Sequence, residues 1–463
     1  MGFPHCFIDS TMFKFFKMKI LITLTFILCI FPLMAKYDHT IKTLSLNLHG
    51  YHPMGEKERY LQDRAGNLTL TSSSIHYFKL LEIIRGNQNR LDQLSINVHE
   101  LSPDIIFLQE VGAGSPNNRN KTCQDFYKKF PYDFAFENTS LRLEKKLDGL
   151  GKKYSSLLAC RGNLGWFTGP LQFSEERIVT KDGNIIFDFD TNPYPHGILI
   201  EGSSIMVSHR LKVLDHQIHN DSHNYLGKRF FYQMAAISDE NNNWFLAVNI
   251  HAGHKMDHFE QSILIKKNIL NYLTQHHFKG TFKGVLIAGD FNARLFRPNL
   301  KEETHSDFSE VSTVLFEVKK ENQFDFLLDY ATENQKIQYL RQELIKLNES
   351  SYKPWASILD QKEFNRRLDD SLNEFKLLQR SYQQGAYKNY LIMQSSLETA
   401  NEQGLCRPDE NLAGACFFKN NIDFIMKTPL FGISNAYVAF SKNNWTSLDY
   451  ISDHPGIFAE LFY

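Results

Sequence analysis

Short apolar runs recur along the chain, and each stops at a polar residue: "SLNLHG", "DIIFLQEV", "FLAVNIHAGH" and "VLIAGDFN". Runs of four to eight apolar residues bounded by turn formers read as buried strands, because a buried helix needs a longer stretch. "TIKTLSLNLHG" alternates over Ile41 to Leu48 as a strand does. "SSIMVSH", "NIDFIMKT" and "GIFAELFY" supply further strands. Helical spacing covers about Ile75 to Leu101 through Leu80, Leu81, Ile84, Leu91, Leu94 and Val98, and Pro103 ends it. "DHFEQSILIKKNILNYLTQHH" is a second amphipathic helix, set between two strands. Strands interleaved with helices predict sheets covered by helices. Hairpin-like connections predict mixed rather than all-parallel sheets.

One segment departs from this pattern. From Ser306 to Gln403 the chain is mostly charged with helical spacing, as in "ENQKIQYLRQELIKLNES" and "RRLDDSLNEFKLLQRSY". It is expected to be a helical insertion on the rim of the core, either a solvated decoration or a lid over a substrate. The whole chain has 463 residues and a formal net charge of −1. No global basic field draws it to polyanions, so such binding would rest on a local patch. The basic run Arg142 to Tyr154 is one candidate, and a solvated loop is its plainer reading. Arg210 is read as a structural or surface arginine, with phosphate contact as the alternative.

Lys14, Lys17 and Lys19 precede the apolar run Ile20 to Ala35. Basic flank, apolar stretch and terminal small residue make a secretory signal peptide over 1–35, which leaves a domain over 36–463. The run falls short of the roughly twenty residues that a membrane span needs. An exported protein, secreted or periplasmic, is expected. Of six cysteines, Cys6 and Cys29 would leave with the signal. Cys123, Cys160, Cys406 and Cys416 remain, and an oxidising compartment favours two disulfides. Cys406–Cys416 would close a short loop, with Cys123–Cys160 the remaining pair among three possible pairings. A zinc site competes, but no CxxC or nearby histidine pair supports it.

The polar residues at strand ends form a set. Asn47 closes the first strand, Glu110 the second and His251 a third. Asp290 and Asn292 follow the glycine of "AGDFN", Asp423 lies in "NNIDFIM", and Asp453 and His454 precede the last strand in "ISDHPGIF". Each alone has a turn or cap explanation, since Asn, Asp and Gly suit turns. Together they place polar groups on the ends of many strands, where sites form in sheet-based folds.

These motifs, "LNLH", "DIIFLQE", "NIHAGH", "AGDFNAR", "IDFI" and "SDHPGI", resemble the endonuclease/exonuclease/phosphatase superfamily, which includes DNase I, abasic-site endonucleases, bacterial sphingomyelinases and inositol polyphosphate phosphatases. The resemblance spans almost all of the chain after the signal. It implies an α/β fold, a four-layer α-β-β-α sandwich of two mixed sheets, carrying the helical insertion at 306–403. It also implies a phosphoesterase dependent on Mg²⁺ or Mn²⁺. By that pattern Glu110 is the main metal ligand, helped by Asn47 and Asp453. His454 is the catalytic histidine, held in one tautomer by Asp423. Asp290 orients or activates the attacking water, and Asn292 and His251 donate to the phosphoryl oxygens. Hard oxygen ligands fit such cations, which keep several waters and need few protein ligands.

The resemblance leaves the substrate open, because function lives in the surroundings of the site. An exported DNase I-like nuclease acting on nucleic acid is the leading expectation. A sphingomyelinase-like or phosphoinositide phosphoesterase is the alternative, although "FFKNNIDFIM" lacks the Arg-Pro-Ala pattern of inositol phosphatases and no membrane-docking loop is evident. A binding scaffold with a dead site is disfavoured, since neither the metal ligand nor the histidine is missing. A monomer without a stable protein partner is expected. The export reading has a direct check. The secreted protein, unreduced, should show no free thiol by mass spectrometry, and four free thiols would overturn it.

Overall fold

The computed structural model describes residues 39–48, 59–62, 66, 68–70, 88–116, 139–160, 165–166, 177–180, 185–188, 197–221, 230–252, 255–291, 361–384, 393–412, 414–416, 423–440 and 454–463. The expected signal peptide lies outside them, as do Cys123, Asn292 and Asp453. No helix among the described residues is long and apolar enough to cross a membrane.

Among the described residues there are two mixed sheets and a smaller third one. The first sheet comprises β1 (Thr40–Asn47), β4 (Ile105–Pro116), β5 (Tyr154–Cys160), β6 (Gly165–Trp166), β9 (Gly197–Ser208), β16 (Gly432–Ala439) and β17 (Gly456–Phe462). Its order is β16-β17-β1-β4-β9-β5, with β6 pairing β9. β1 runs parallel to β4 and antiparallel to β17. The second comprises β10 (Lys212–Asp221), β11 (Phe230–Ser238), β12 (Asn243–His251), β13 (Thr281–Asp290), β14 (Gln394–Ser395) and β15 (Asp423–Lys427), in the order β10-β11-β12-β13-β15-β14. Here β12 and β13 are parallel, while β15 runs against β13. The third sheet joins β2 (Arg59–Gln62), β3 (Leu68–Leu70), β7 (Arg177–Thr180) and β8 (Ile185–Asp188).

Alternation along the strands sorts their side chains into layers. Ile41, Ile105, Phe107 and Ile205 of the first sheet share one apolar cluster with Ala235, Phe245, Leu286 and Ile425 of the second, so the sheets pack face to face. The opposite face of the first sheet, with Leu44, Leu46, Ile106 and Leu108, is covered by two helices. These are α1 (Gln88–Leu101), through Leu91, Leu94 and Val98, and α2 (Thr139–Gly149), through Leu143 and Leu147. The second sheet is covered by α3 (Lys255–Gln275), whose Asn268 Nδ2 donates to Tyr232 Oη at 2.5 Å and whose Tyr272 Oη donates to Asp215 at 2.9 Å. The result is the expected α-β-β-α sandwich.

Two expectations change. The basic run from Arg142 is helix rather than solvated loop as far as Gly149, because Leu143 and Leu147, four apart, face the core. Arg142 itself is buried. The 306–403 segment is described from 361 onward, with 385–392 also outside the described residues, and there it is tied to the core. Its helix α4 (Gln361–Gln384) buries Phe364, Leu368 and Leu372 and docks on α3 through Arg367 and Glu260, Nε to Oε1 2.8 Å. Further on, β14 pairs with β15, and α5 (Ser396–Glu402) buries Leu397 and Ala400 between the sheets. Ser395 caps α5 by accepting from Glu398 N, and the Ser-x-x-Glu spacing is a capping-box signature. This end of the segment is core.

The expected Cys406–Cys416 disulfide is present. Cys160 sits on β5, and its expected partner Cys123 is among the residues not described. Arg210 has the structural role: it pairs with Asp104 and donates to Thr40 O at 2.7 Å.

One buried cation bears on stability. Lys427 Nζ donates to Gln394 Oε1 at 2.8 Å and to Phe431 O at 2.6 Å, both neutral acceptors. Burial pushes its ammonium from 10.5 down to about 8. Below pH 8 both folded and unfolded chains hold this proton, and the folded chain bears the whole cost of burying the charge. As pH rises from 8 the folded chain releases the proton first, so Lys427 contributes rising stability up to its unfolded value, by about 3 kcal/mol in all. Tyr154 and Tyr463, raised by burial, act in the opposite sense above about pH 10. Denaturant unfolding of wild type against Lys427→Met should therefore show a stability difference that moves in favour of wild type between pH 8 and 10. A pH-independent difference would contradict this account.

Candidate functional site

The strand directions bring the polar set to one end of the sandwich. Parallel β1, together with β12 and β13, delivers residues from its C-terminal end; antiparallel β15 and β17 deliver theirs from the N-terminal side. In the second sheet His251, Asp290 and Asp423 lie in register across three neighbouring strands. Neighbouring strands are about 4.8 Å apart, so the three side chains stand in one row. Ala252 N donates to Asp290 O at 2.8 Å and holds the two parallel strand ends together.

Gly289 makes this row feasible. Its φ is +142°, and a Cβ there would lie 1.9 Å from Ile250 O. The glycine of "AGDFN" is thus demanded by close approach of β12, and Asp290 follows it onto the inner face.

In the first sheet a β-bulge does the aiming. The β4–β9 register runs Ile105↔Val207 to Leu108↔Ser204 and resumes at Val111↔Gly202, so Gln109 and Glu110 together face Ser203. Phe107 packs inward and Leu108 outward; Val111 packs outward again. A plain strand would turn Glu110 outward. The extra residue puts Gln109 and Glu110 both inward, with Glu110 at φ +50°. Such a backbone is uncommon for a non-glycine residue and costs on the order of 1–3 kcal/mol.

The two sheets meet through Asn47. Its Nδ2 donates to Glu110 Oε1 at 3.1 Å and to Asp290 Oδ2 at 3.0 Å. His251 Nε2 lies 3.7 Å from Glu110 Oε1 and 3.6 Å from Asp290 Oδ2. His454 Nδ1 is 2.8 Å from Asp423 Oδ2, and its Nε2 is 4.0 Å from Asp290 Oδ2. Asp290 and Asp423 are 2% and 1% exposed, whereas the side chains of Glu110, His251 and His454 are each 16% exposed. The first pair is shielded and the other three reach the surface.

Three carboxylates in one cluster repel one another, so the site favours a positive charge. Glu110, His251 and Asp290 place one ligand atom each within 4.8 Å of one another, and so do Asp290, Asp423 and His454. The carboxylate oxygens of Glu110, Asp290 and Asp423 fit a hard divalent cation, whereas imidazole nitrogens suit softer metals, which leaves His251 and His454 free for other work. Of the residues expected from sequence, Asn47, Glu110, His251, Asp290, Asp423 and His454 are brought together. Asn292 and Asp453 lie outside the described residues.

Two further residues are part of this end. Gln109 and Asn249, both fully buried, join across the sheets, Nε2 to Oδ1 2.7 Å. A signal for them existed: Asn249 alternates with Ala247 and His251 along β12, and Gln109 with Phe107 along β4. An amide on the inward face of an apolar strand needs a buried partner.

No family model matches the chain, and no curated protein matches it. Among solved structures it is similar to ANGEL2, a 2′,3′-cyclic phosphatase, at 12% identity over 92% of this chain and 96% of that one, TM-score 0.43. It is also similar to an endonuclease/exonuclease/phosphatase family protein from Leptotrichia buccalis, at 11% identity over 91% of this chain and 100% of that one, TM-score 0.40. A mannosyl-6-phosphatase from Bacteroides thetaiotaomicron gives 12% identity over 91% and 100%, TM-score 0.40. At such identities and scores an activity is assigned by the residues of the site and not by the likeness.

The Gly289 geometry is testable. Gly289→Ala should lower unfolding free energy by more than about 2 kcal/mol, because both the backbone and Ile250 must yield. A melting temperature equal to that of wild type would refute the close approach.

Proposed function

We propose that the chain is an exported phosphodiester hydrolase of the endonuclease/exonuclease/phosphatase class, dependent on Mg²⁺ or Mn²⁺, with nucleic acid as its substrate. The observation that carries the reading is the meeting of Asn47, Glu110, His251, Asp290 and the His454–Asp423 pair at one end of the sandwich.

A bound divalent cation supplies positive charge against the phosphate and lowers the pKa of bound water. Glu110 would hold it from the strained bulge, with Asn47 beside it. Asn47 donates to both Glu110 and Asp290, and so fixes which carboxylate oxygens stay available. Asp423 accepts from His454 Nδ1–H, which leaves Nε2 toward Asp290 and the phosphate. A carboxylate-fixed tautomer is the usual device for a histidine that moves or shares a proton. Asp290 would orient the attacking water, a role supported by its shielded position beside both histidines. His251 donates toward the phosphoryl oxygens; Asn292 and Asp453 complete the set on the strength of their motifs. The nuclease reading rests on the motif resemblance, and export rests on the N-terminal run and the paired cysteines.

The test is hydrolysis by the protein begun at Lys36, with Mg²⁺ or Mn²⁺, on plasmid DNA, RNA, sphingomyelin and phosphoinositides. Nucleic acid should be cut, and EDTA should abolish the activity. Glu110→Gln should raise the metal concentration needed. His454→Ala should lose about 10²–10⁴ in rate, beyond rescue by metal. Wild-type turnover in His454→Ala, or indifference to EDTA, would end the proposal. Cleavage of a lipid alone would replace the substrate and keep the chemistry.

A further inference from the structure

The bulge that aims Glu110 is strained, and something must hold it. The facing sheet does so through one side chain. Asn249 Nδ2 donates to Leu108 O at 3.0 Å and to Ser204 O at 2.9 Å, while Oδ1 accepts from Gln109 Nε2 at 2.7 Å. Leu108 and Ser204 are the last regular pair before the register slips, and Gln109 is the first residue of the bulge. Both donors of this amide are therefore spent on the pair that borders the bulge, and its oxygen on the bulge itself. Asn249 is fully buried, where an unmet polar group costs most. An ordinary ladder has no need of a side chain from another sheet. Here, beside the slipped register, the carbonyl oxygens of Leu108 and Ser204 accept from Asn249 Nδ2 of the facing sheet.

A second polar bridge serves as a comparison. Gln233 Nε2 donates to Ser203 Oγ at 2.5 Å, also across the two sheets, and Gln233 Oε1 lies 3.1 Å from His216 Nε2. Ser203 faces the bulge from β9, but the hydrogen bonds of Gln233 go to Ser203 and His216 and not to β4. The two bridges share burial and differ in what they hold.

We infer that Asn249 is a positioning residue that holds the β4 bulge and, through it, sets Glu110 toward the metal. This rests on the reading of Glu110 as a metal ligand. It goes further in assigning the aim of that ligand to the opposite sheet. Asn249 is two residues before His251 on β12, so one strand both supplies a site histidine and fixes the glutamate across from it.

The test measures Mn²⁺ binding to the full chain without substrate, by calorimetric titration. Asn249→Ala should weaken binding about 10–100-fold, the range for residues that orient metal ligands. Gln233→Met should lower the melting temperature and leave Mn²⁺ affinity within about twofold, since it lacks a share in orienting the ligand. Where Asn249→Ala does not fold, Gln109→Met severs the same clamp from the bulge and should weaken binding in the same direction by less. Unchanged affinity in the folded variant overturns the inference, as does an equal loss in Gln233→Met. Glu110→Gln run in parallel separates the two readings. If it binds Mn²⁺ as wild type does, the metal reading fails; if it weakens binding and the Asn249 or Gln109 variant does not, only the positioning role fails.

Discussion

One extra residue in β4 decides whether Glu110 joins the polar cluster at the end of this sandwich. Side chains alternate along a strand, so inserting one residue exchanges inward and outward for all that follow. Before the slip, β4 places Phe107 in the core between the sheets and Leu108 under the helices. After it, Val111 again lies under the helices. The bulge takes up the difference, and Gln109 and Glu110 both turn inward, one for the interior and one for the surface of the site. The strained φ of Glu110 is stabilised by what surrounds it and would not persist in an isolated ribbon.

The interior changes character along the strands in keeping with this. Toward the far end the sheets meet through aliphatic and aromatic side chains such as Ile41, Phe245, Phe431 and Leu461. Nearer the site they meet through Gln109, Asn249, Ser203 and Gln233. Beyond those come the ionisable groups. The apolar end restrains the sheets through the interlock of close-packed side chains, which sets shape but carries no bond direction. Hydrogen bonds fix direction as well as distance. The polar band thus adds a directional constraint on the register between the sheets next to the ionisable cluster.

Much of this was legible in the residues. The strands ending at Asn47, His251 and Asp290 declared themselves by apolar runs stopped by polar groups, and His454 by its neighbours in "SDHPGI". The bulge was not legible, since "FLQEV" reads as an ordinary strand and its extra residue appears only against β9. Nor was α2, whose lysines and glycines masked the Leu143–Leu147 stripe. The 306–403 segment was legible as helix on the rim, and what its residues did not announce is that β14 and α5 at its end join the core. Its high charge describes the outer face of α4, while Phe364, Leu368 and Leu372 recur on the other face and pack inward. Average polarity conceals an amphipathic helix, and the short α5 is legible only through its cap.

The outer layers reach the site by the same logic of direction. α3 begins four residues after His251, so whatever fixes α3 limits how far the end of β12 can shift. α4 fixes it from outside: the Arg367 guanidinium, largely buried, grips Glu260 with two nitrogens, and Ser371 lies 3.4 Å from the same carboxylate. A planar guanidinium matched to a carboxylate constrains orientation as well as distance, which a lysine in its place would not. Glu260 lies in the first two turns of α3, the part nearest His251. The more distant Lys267–Glu374 pair, half exposed on both sides, adds little restraint by comparison. The charged segment is therefore connected through its buried face to the strand end that carries His251.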